Sequence, residues 1–365
     1  MKINELKLDF DDVLIEPQRS TLTSRSSIEL VREFRFYHST RIWNGIPIMC
    51  ANMSFCSVEI AQKLADNRMI ACLHKYHTVD ELAKYFKDNP ENIPYTWVTV
   101  GYKQDDLSKL LELKSKLKSL NVEQPNICID VPNGHMDIFV KYCKKVRESF
   151  PESIIMAGNV TNTSSTQELI VYGGVDICKV GIGGGSVCTT RMVTGCGVPQ
   201  LSAIIENSYV AHGQQNKPRH LGLICSDGGH KNVGDVCKAL CAGSDFVMLG
   251  GYWAGCDECI GEWIGGWSSP DGCVLSPEYF TYYGMSTHYS QEQHEDALKD
   301  YRASEGTKIS VCAKGPVQKL IQELLGGIRS CCCYIGASST KDMNKCASFC
   351  RVNKIHNNTN PILGE

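Results

Sequence analysis

Cys188 stands in the run Gly181-Ile182-Gly183-Gly184-Gly185-Ser186-Val187-Cys188-Thr189-Thr190-Arg191 and is a candidate nucleophile. A thiolate attacks an electrophilic carbon and leaves again more readily than an alkoxide. Glycines around it permit positive φ and close approach of backbone to a ligand or ion. Peptide N–H groups and the nearby Arg191 would favour the thiolate form. The run is not the dinucleotide fingerprint, because position 186 is Ser, and no Lys follows to make it a P-loop. Cys188 can also be read as one thiol among twenty in an inert, flexible turn. Ser226-Asp227-Gly228-Gly229 and Gly250-Gly251 suit a phosphate site built from backbone N–H groups. A carboxylate repels phosphate, so Asp227 is better suited to accept hydrogen bonds from ribose hydroxyls. The bland alternative is that Asp227 caps the turn and the glycines shape it.

The stretch from 252 to 315 carries two more groups. Tyr282-Tyr283-Gly284-Met285-Ser286-Thr287 offers aromatic, sulfur and hydroxyl groups for a planar base. Tyr301-Arg302-Ala303-Ser304-Glu305-Gly306 offers an acid and a base partner; a solvated surface excursion is the other reading. Cys256-x-x-Cys259 has metal-ligand spacing but no second matching pair, which argues against zinc. Cys331-Cys332-Cys333 reads as small buried side chains. In His74-Lys75-Tyr76-His77 the His pair lacks a third ligand, but Lys75 is available to an anion.

Such chemistry needs a frame that gathers distant segments. Apolar, β-rich runs bounded by turn residues occur at 46–52, 68–74, 96–102, 126–133, 153–160, 175–183, 221–228 and 244–251. Most are continuously apolar, as in Ile154-Ile155-Met156-Ala157, which is the pattern of parallel strands buried on both faces. Helical patterns follow at 57–67, 78–89, 105–120, 135–150, 162–172, 200–212, 233–242 and 316–325. Ser57 is expected to cap the first, and Thr78-Val79-Asp80-Glu81 is a capping-box signature. Pro316 opens the last, and Gly326-Gly327 is expected to end it. Strand starts recur roughly every 20–30 residues, so the expected fold is an α/β (β/α)8 TIM barrel. An open doubly wound sheet would usually show a glycine fingerprint after its first strand, where this chain has Cys50-Ala51-Asn52-Met53. In a barrel, catalytic residues lie where strands end, which fits the runs after the sixth, seventh and eighth strands. An N-terminal arm, the long flap after strand eight and a C-terminal tail account for the remainder. No low-complexity linker divides the chain, so one domain is expected over 1–365, with its core over about 46–330.

Charge and composition remove several classes. Lys and Arg total 37 against 40 Asp and Glu, a net charge of −3, without the basic excess of a nucleic-acid binder. No run approaches the ~18–20 apolar residues of a membrane span. The start, Met1-Lys2-Ile3-Asn4-Glu5, has no apolar signal segment, so the 20 Cys are expected to be reduced thiols in the cytoplasm.

Read in order, the motifs resemble the family shared by IMP dehydrogenases and GMP reductases. The resemblance begins at Leu8-Asp9-Phe10-Asp11-Asp12-Val13-Leu14 and Arg19-Ser20-Thr21-Leu22, then passes through His74-Lys75, Ala157-Gly158-Asn159-Val160 and Lys179-Val180-Gly181-Ile182-Gly183. It takes in the Cys188 run, Pro199-Gln200-Leu201-Ser202-Ala203, Ser226-Asp227-Gly228-Gly229 and Asp245-Phe246-Val247-Met248-Leu249-Gly250-Gly251. Tyr283-Gly284-Met285-Ser286, Tyr301-Arg302-Ala303-Ser304-Glu305-Gly306 and Leu325-Gly326-Gly327-Ile328-Arg329-Ser330 complete it. Dehydrogenases usually carry paired regulatory modules of the cystathionine-β-synthase type; the short stretch between Lys75 and Asp130 leaves no room for them. Dehydrogenases also use an Arg-Tyr pair on a mobile flap to activate water, whereas Arg302-Ala303-Ser304-Glu305-Gly306 is similar to the reductases.

The resemblance implies NADPH-dependent reductive deamination of GMP to IMP and ammonia. Cys188 would form a thioimidate at C2 of the base, with Thr190 and Glu305 protonating the departing amine. Asp227, Gly228, Gly229, Gly250, Gly251, Gly284, Met285, Ser286, Arg302, Ala303, Ser304 and Gly306 match the nucleotide site. Ser24, Arg25, Lys75, Asp130, Val131, Pro132, Ile182, Gly183 and Met285 match cofactor contacts, some of them expected across a subunit interface of a homotetramer. Carbonyls of Gly183, Gly185, Cys188 and Arg191 match a site for a monovalent cation such as K+. An IMP dehydrogenase without its regulatory module and a degenerate purine-nucleotide-binding barrel are the alternatives. The chain departs from the common family pattern at Ser54-Phe55, Pro132, His135 and Gly184, the last expected to loosen the catalytic loop.

Overall fold

Alternating apolar runs and helices give a closed barrel of eight parallel strands, the TIM barrel expected. The computed structural model describes residues 5–213, 215–216, 219–266, 278–294 and 303–353. The strands are β1 (Ile48–Cys50), β2 (Ile70–Leu73), β3 (Thr96–Val100), β4 (Ile127–Asp130), β5 (Ile155–Val160), β6 (Ile177–Val180), β7 (Leu223–Asp227) and β8 (Phe246–Leu249). Each pairs with its successor, and β8 closes on β1. The helices between and after them are α1 (Val58–Asp66), α2 (Val79–Asp88), α3 (Gln104–Ser119), α4 (Asp137–Ser149), α5 (Thr163–Val171), α6 (Gln200–Gly213), α7 (Val233–Cys241) and α8 (Val317–Ile335). Ser57 caps α1, its hydroxyl accepting from Ile60 N–H at 3.0 Å. Thr78 and Glu81 form the expected capping box on α2.

Strand alternation sorts side chains between two cores. Outward residues such as Ile129, Cys178 and Val180 pack under the helices. Inward residues fill the lumen: Met49, Ile70, Trp97, Cys128, Met156, Ile177, Cys225 and Met248. One more step of two along β3, β4, β6 and β7 reaches Thr99, Asp130, Lys179 and Asp227. The lumen is therefore apolar below and polar at the C-terminal mouth.

The described parts of the arm, flap and tail carry further strands. In the N-terminal arm, strands Arg32–Arg35 and Ile42–Gly45 form an antiparallel hairpin. Its Phe34, Phe36 and Trp43 plug the opposite end of the lumen, and Phe34 stacks on Phe246 with ring centroids 4.4 Å apart. The tail strand Phe349–Arg351 pairs with Val13–Ile15. The long flap is built on a three-stranded antiparallel sheet of Trp263–Gly265, Glu278–Tyr283 and Lys308–Cys312, so the reading of it as a surface excursion is replaced.

The expected end of the last helix at Gly326-Gly327 is corrected. α8 continues to Ile335 and stops at Gly336, whose φ of 72° makes it the left-handed cap. The glycine pair serves helix packing instead. A Cβ on Gly327 would meet Val233 Cγ1 of α7 at 2.4 Å, whereas one on Gly326 would meet nothing within 4 Å. Gly327→Ala is therefore expected to destabilise the fold by about 1–2 kcal/mol through overpacking against a stiff branched side chain. Gly326→Ala is expected to stabilise it by roughly 0.5–1 kcal/mol through helix propensity. Urea denaturation of both variants checks the opposite signs.

Candidate active site

The eight strand ends and the flap enclose a cleft of about 520 Å³. β6 delivers the glycine run, and Gly183 there has φ 81°, a conformation that favours glycine. The run ends in a short helix, Thr190–Thr194, which places Thr190 one step past the turn carrying Cys188. The flap returns over this turn by backbone pairing. Thr189 N–H donates to the Glu305 carbonyl at 2.9 Å, and Thr307 N–H donates to the Val187 carbonyl at 2.9 Å. Glu305 N–H reaches the Ser286 carbonyl at 3.4 Å. A Cβ on Gly306 would lie 2.8 Å from Thr287 and 3.2 Å from the Val187 carbonyl, so the close approach of the segments needs a glycine there.

This pairing brings three reactive groups into a chain. The Cys188 thiol donates to the Thr190 hydroxyl at 3.2 Å, and that hydroxyl donates to Glu305 Oε2 at 2.8 Å. A sulfur, a hydroxyl and a carboxylate in series can pass a proton between the carboxylate and a group bound at the sulfur. All three residues line the cleft.

At the mouth of the lumen, Lys179 is buried and ion-paired to both Asp130 and Asp227, the latter at 2.9 Å. Burial pushes the Asp130 carboxyl up, but the Lys179 ammonium overcomes this and holds it below the usual carboxylate range. Burial likewise pulls Lys179 down, and the two carboxylates reverse this, so it stays charged. Asn52 Nδ2 donates to Asp130 at 3.0 Å and Asn159 Nδ2 to Asp227 at 2.9 Å. Near Gly229, His230 is driven by burial down to about 4, so its ring is neutral at pH 7.

Of the residues singled out from sequence, Lys75, Asp130, Val131, Pro132, Ile182, Gly183, Gly185, Cys188, Thr190, Asp227, Gly228, Gly229, Gly250, Gly251, Gly284, Met285, Ser286, Ala303 and Glu305 line one cleft. Gly306 bridges to Cys188, and Ser304 donates to the Gly306 carbonyl at 3.2 Å. Arg302 lies outside the described residues. Ser24 and Arg25 are not among the cleft residues; they are exposed at a short turn that Ser24 itself caps. Arg191 needs correction as the cation beside the thiol: its guanidinium pairs with Asp9 at 3.1 Å and donates to the Val198 carbonyl at 2.9 Å. Sequence reasoning did not single out Asn52, Thr99, Asn159, Lys179 or His230 as cleft residues, whereas Tyr282, from the run read as suited to a planar base, does line the cleft. For Lys179 a signal existed, a charged residue at the last inward position of an otherwise apolar strand. Phe55, one of the departures, is buried and packs edge-on against Tyr282 at 5.8 Å, bracing the flap sheet from the β1 loop.

Comparison with known proteins agrees with this geometry. The family described as "IMP dehydrogenase / GMP reductase domain" matches residues 7–358. A GMP reductase of Photobacterium profundum is 44% identical over 356 residues, covering 97% of both chains. One of Onchocerca volvulus is 43% identical over 353 residues, 96% of this chain and 92% of the relative. GMP reductase 1 of Mus musculus is 42% identical over 354 residues, 97% of each. With a match over nearly its whole length and the cleft assembled from the family's motifs, the chain belongs to the IMP dehydrogenase / GMP reductase family.

Proposed function

We propose that this protein is a GMP reductase, converting GMP to IMP and ammonia with NADPH as reductant. The carrying observation is the Cys188–Thr190–Glu305 chain inside the cleft. Cys188 bonds to C2 of the guanine, and its proton passes toward Thr190. An amine leaves poorly until protonated, so Thr190 and Glu305 deliver the proton that releases the 2-amino group as ammonia. The result is a thioimidate, in which C2 remains bonded to sulfur. A reduced nicotinamide, if held by Asp130 and its neighbours, would supply the hydride to C2, after which cleavage of the S–C2 bond would return the thiolate and release IMP. Asp227 accepts from the ribose hydroxyls, and the N–H groups of Gly228, Gly229, Gly250 and Gly251 hold the phosphate. Gly284, Met285, Ser286, Ala303, Ser304 and Gly306 cover the nucleotide, and Arg302 belongs to the same segment. Lys75, Asp130, Val131, Pro132, Ile182, Gly183 and Met285 hold the cofactor; the Lys75 charge suits its phosphates.

The carbonyls of Gly183, Gly185, Cys188 and Arg191 are neutral oxygen donors of the loop and short helix that follow β6, of the kind suited to a hard monovalent cation such as K+. The exposed Ser24 and Arg25 fit cofactor contacts made to a neighbouring copy, as in the homotetramer that the family resemblance implies. Among the described residues no helix is long and apolar enough to cross a membrane, and every cysteine is free, in keeping with a reducing cytoplasm. The chain reads as one barrel domain without a regulatory insertion.

The test is an assay of GMP-dependent NADPH oxidation with stoichiometric ammonia release, run in K+ buffer. Oxidation of IMP with NAD and no reduction of GMP would overturn the assignment in favour of a dehydrogenase. Binding of GMP without turnover in either direction would favour a nucleotide-binding barrel.

A further inference from the structure

Lys179 is the one inward side chain of β6 that follows Ile177, and it is only 3% exposed. Its ammonium is shared by Asp130 on β4 and Asp227 on β7, two separate strand ends of the cleft. Each carboxylate is also steadied by an amide, Asn52 on Asp130 and Asn159 on Asp227. A buried ion cluster is weak evidence for stability, because well-packed apolar groups of similar volume usually do as well. The layer beneath is made of such groups: Trp97, Cys128, Ile177 and Cys225. The charges at the mouth therefore call for a role in the cleft.

We propose that Lys179 is a positioning residue that couples the two ligands, holding Asp227 for the nucleotide and Asp130 for the cofactor through a single ammonium. This rests on the GMP reductase reading. The sharing makes the two sites interdependent. Ribose hydroxyls that occupy lone pairs of Asp227 loosen its grip on Lys179, and the ammonium is then free to close on Asp130. By reciprocity, a ligand at Asp130 acts on Asp227 in the same measure. Lys179 touches neither reacting carbon nor hydride in this scheme.

The experiment measures GMP and NADPH dissociation constants by calorimetry on the full chain. In Asp130→Asn the ammonium keeps one carboxylate, so the fold retains a paired charge. Left with Asp227 alone, Lys179 competes with the ribose, and GMP affinity is expected to fall about fivefold although Asp130 lies on the cofactor side. Lys179→Met is expected to weaken both ligands and to abolish any effect of one on the other, with partial recovery in Lys179→Arg. Circular dichroism verifies folding, and if Lys179→Met does not fold, Asp130→Asn decides. Unchanged GMP affinity in Asp130→Asn, or weakening of only one ligand in a folded Lys179→Met, overturns the coupling. Failure of the unaltered protein to bind GMP or NADPH overturns the functional reading instead.

Discussion

Cys188→Ala is expected to abolish GMP-dependent NADPH oxidation while GMP still binds. The substitution removes the sulfur that must bond to C2 and leaves the backbone of the turn intact. That backbone holds the flap: Thr189 N–H on the Glu305 carbonyl and Thr307 N–H on the Val187 carbonyl are main-chain bonds. The glycine N–H groups and Asp227 proposed to bind the nucleotide are untouched. No other described group stands in the thiol's place, because Thr190 donates its hydroxyl proton to Glu305. Turnover is therefore expected to drop on the order of 10⁴-fold or more, the scale seen when a nucleophile is removed from a preorganised site. Steady-state turnover and calorimetric GMP affinity, measured on one preparation, check it. Undiminished turnover would remove Cys188 from the mechanism.

Glu305→Gln is expected to slow ammonia release far more than it weakens GMP binding. Glutamine has the shape of glutamate and can still accept from the Thr190 hydroxyl. It cannot take up and return a proton, so the relay from Glu305 through Thr190 is cut at its source. Loss of a positioned general acid typically lowers the rate by about 10²–10⁴-fold. The Glu305 carbonyl and N–H, which pair with Thr189 and Ser286, are unaffected. Single-turnover ammonia release against the GMP dissociation constant separates the two effects. Equal losses in rate and affinity would make Glu305 a binding residue.

Much of the barrel was legible from local pattern. Apolar, β-rich runs marked all eight strands, and Ser57, Thr78 and Glu81 announced their helix starts by capping chemistry alone. Gly326-Gly327 was misleading because a glycine pair signals a helix end only by default. Whether a glycine ends a helix or admits a neighbour depends on what lies beside it, and Val233 belongs to a distant part of the chain. The hairpin that plugs the lumen was not legible for the same reason: Phe34 and Trp43 acquire meaning only against Phe246. Arg191 was misjudged because proximity in sequence to Cys188 says nothing about a competing carboxylate at Asp9.

Local pattern alone carried the βα alternation, the glycine-rich strand ends and Cys188 as a candidate nucleophile. Those features are local: strand burial, turn chemistry and residue type within a few positions. The closed fold is what joins Thr190 and Glu305, far apart in the chain, to the sulfur in one hydrogen-bonded series. It also decided that a single lysine answers to both Asp130 and Asp227. Both follow from long-range geometry. Barrel closure turns the last inward position of several strands toward one mouth, and the backbone pairing of the flap sets a carboxylate over that mouth within hydrogen-bond reach of Thr190.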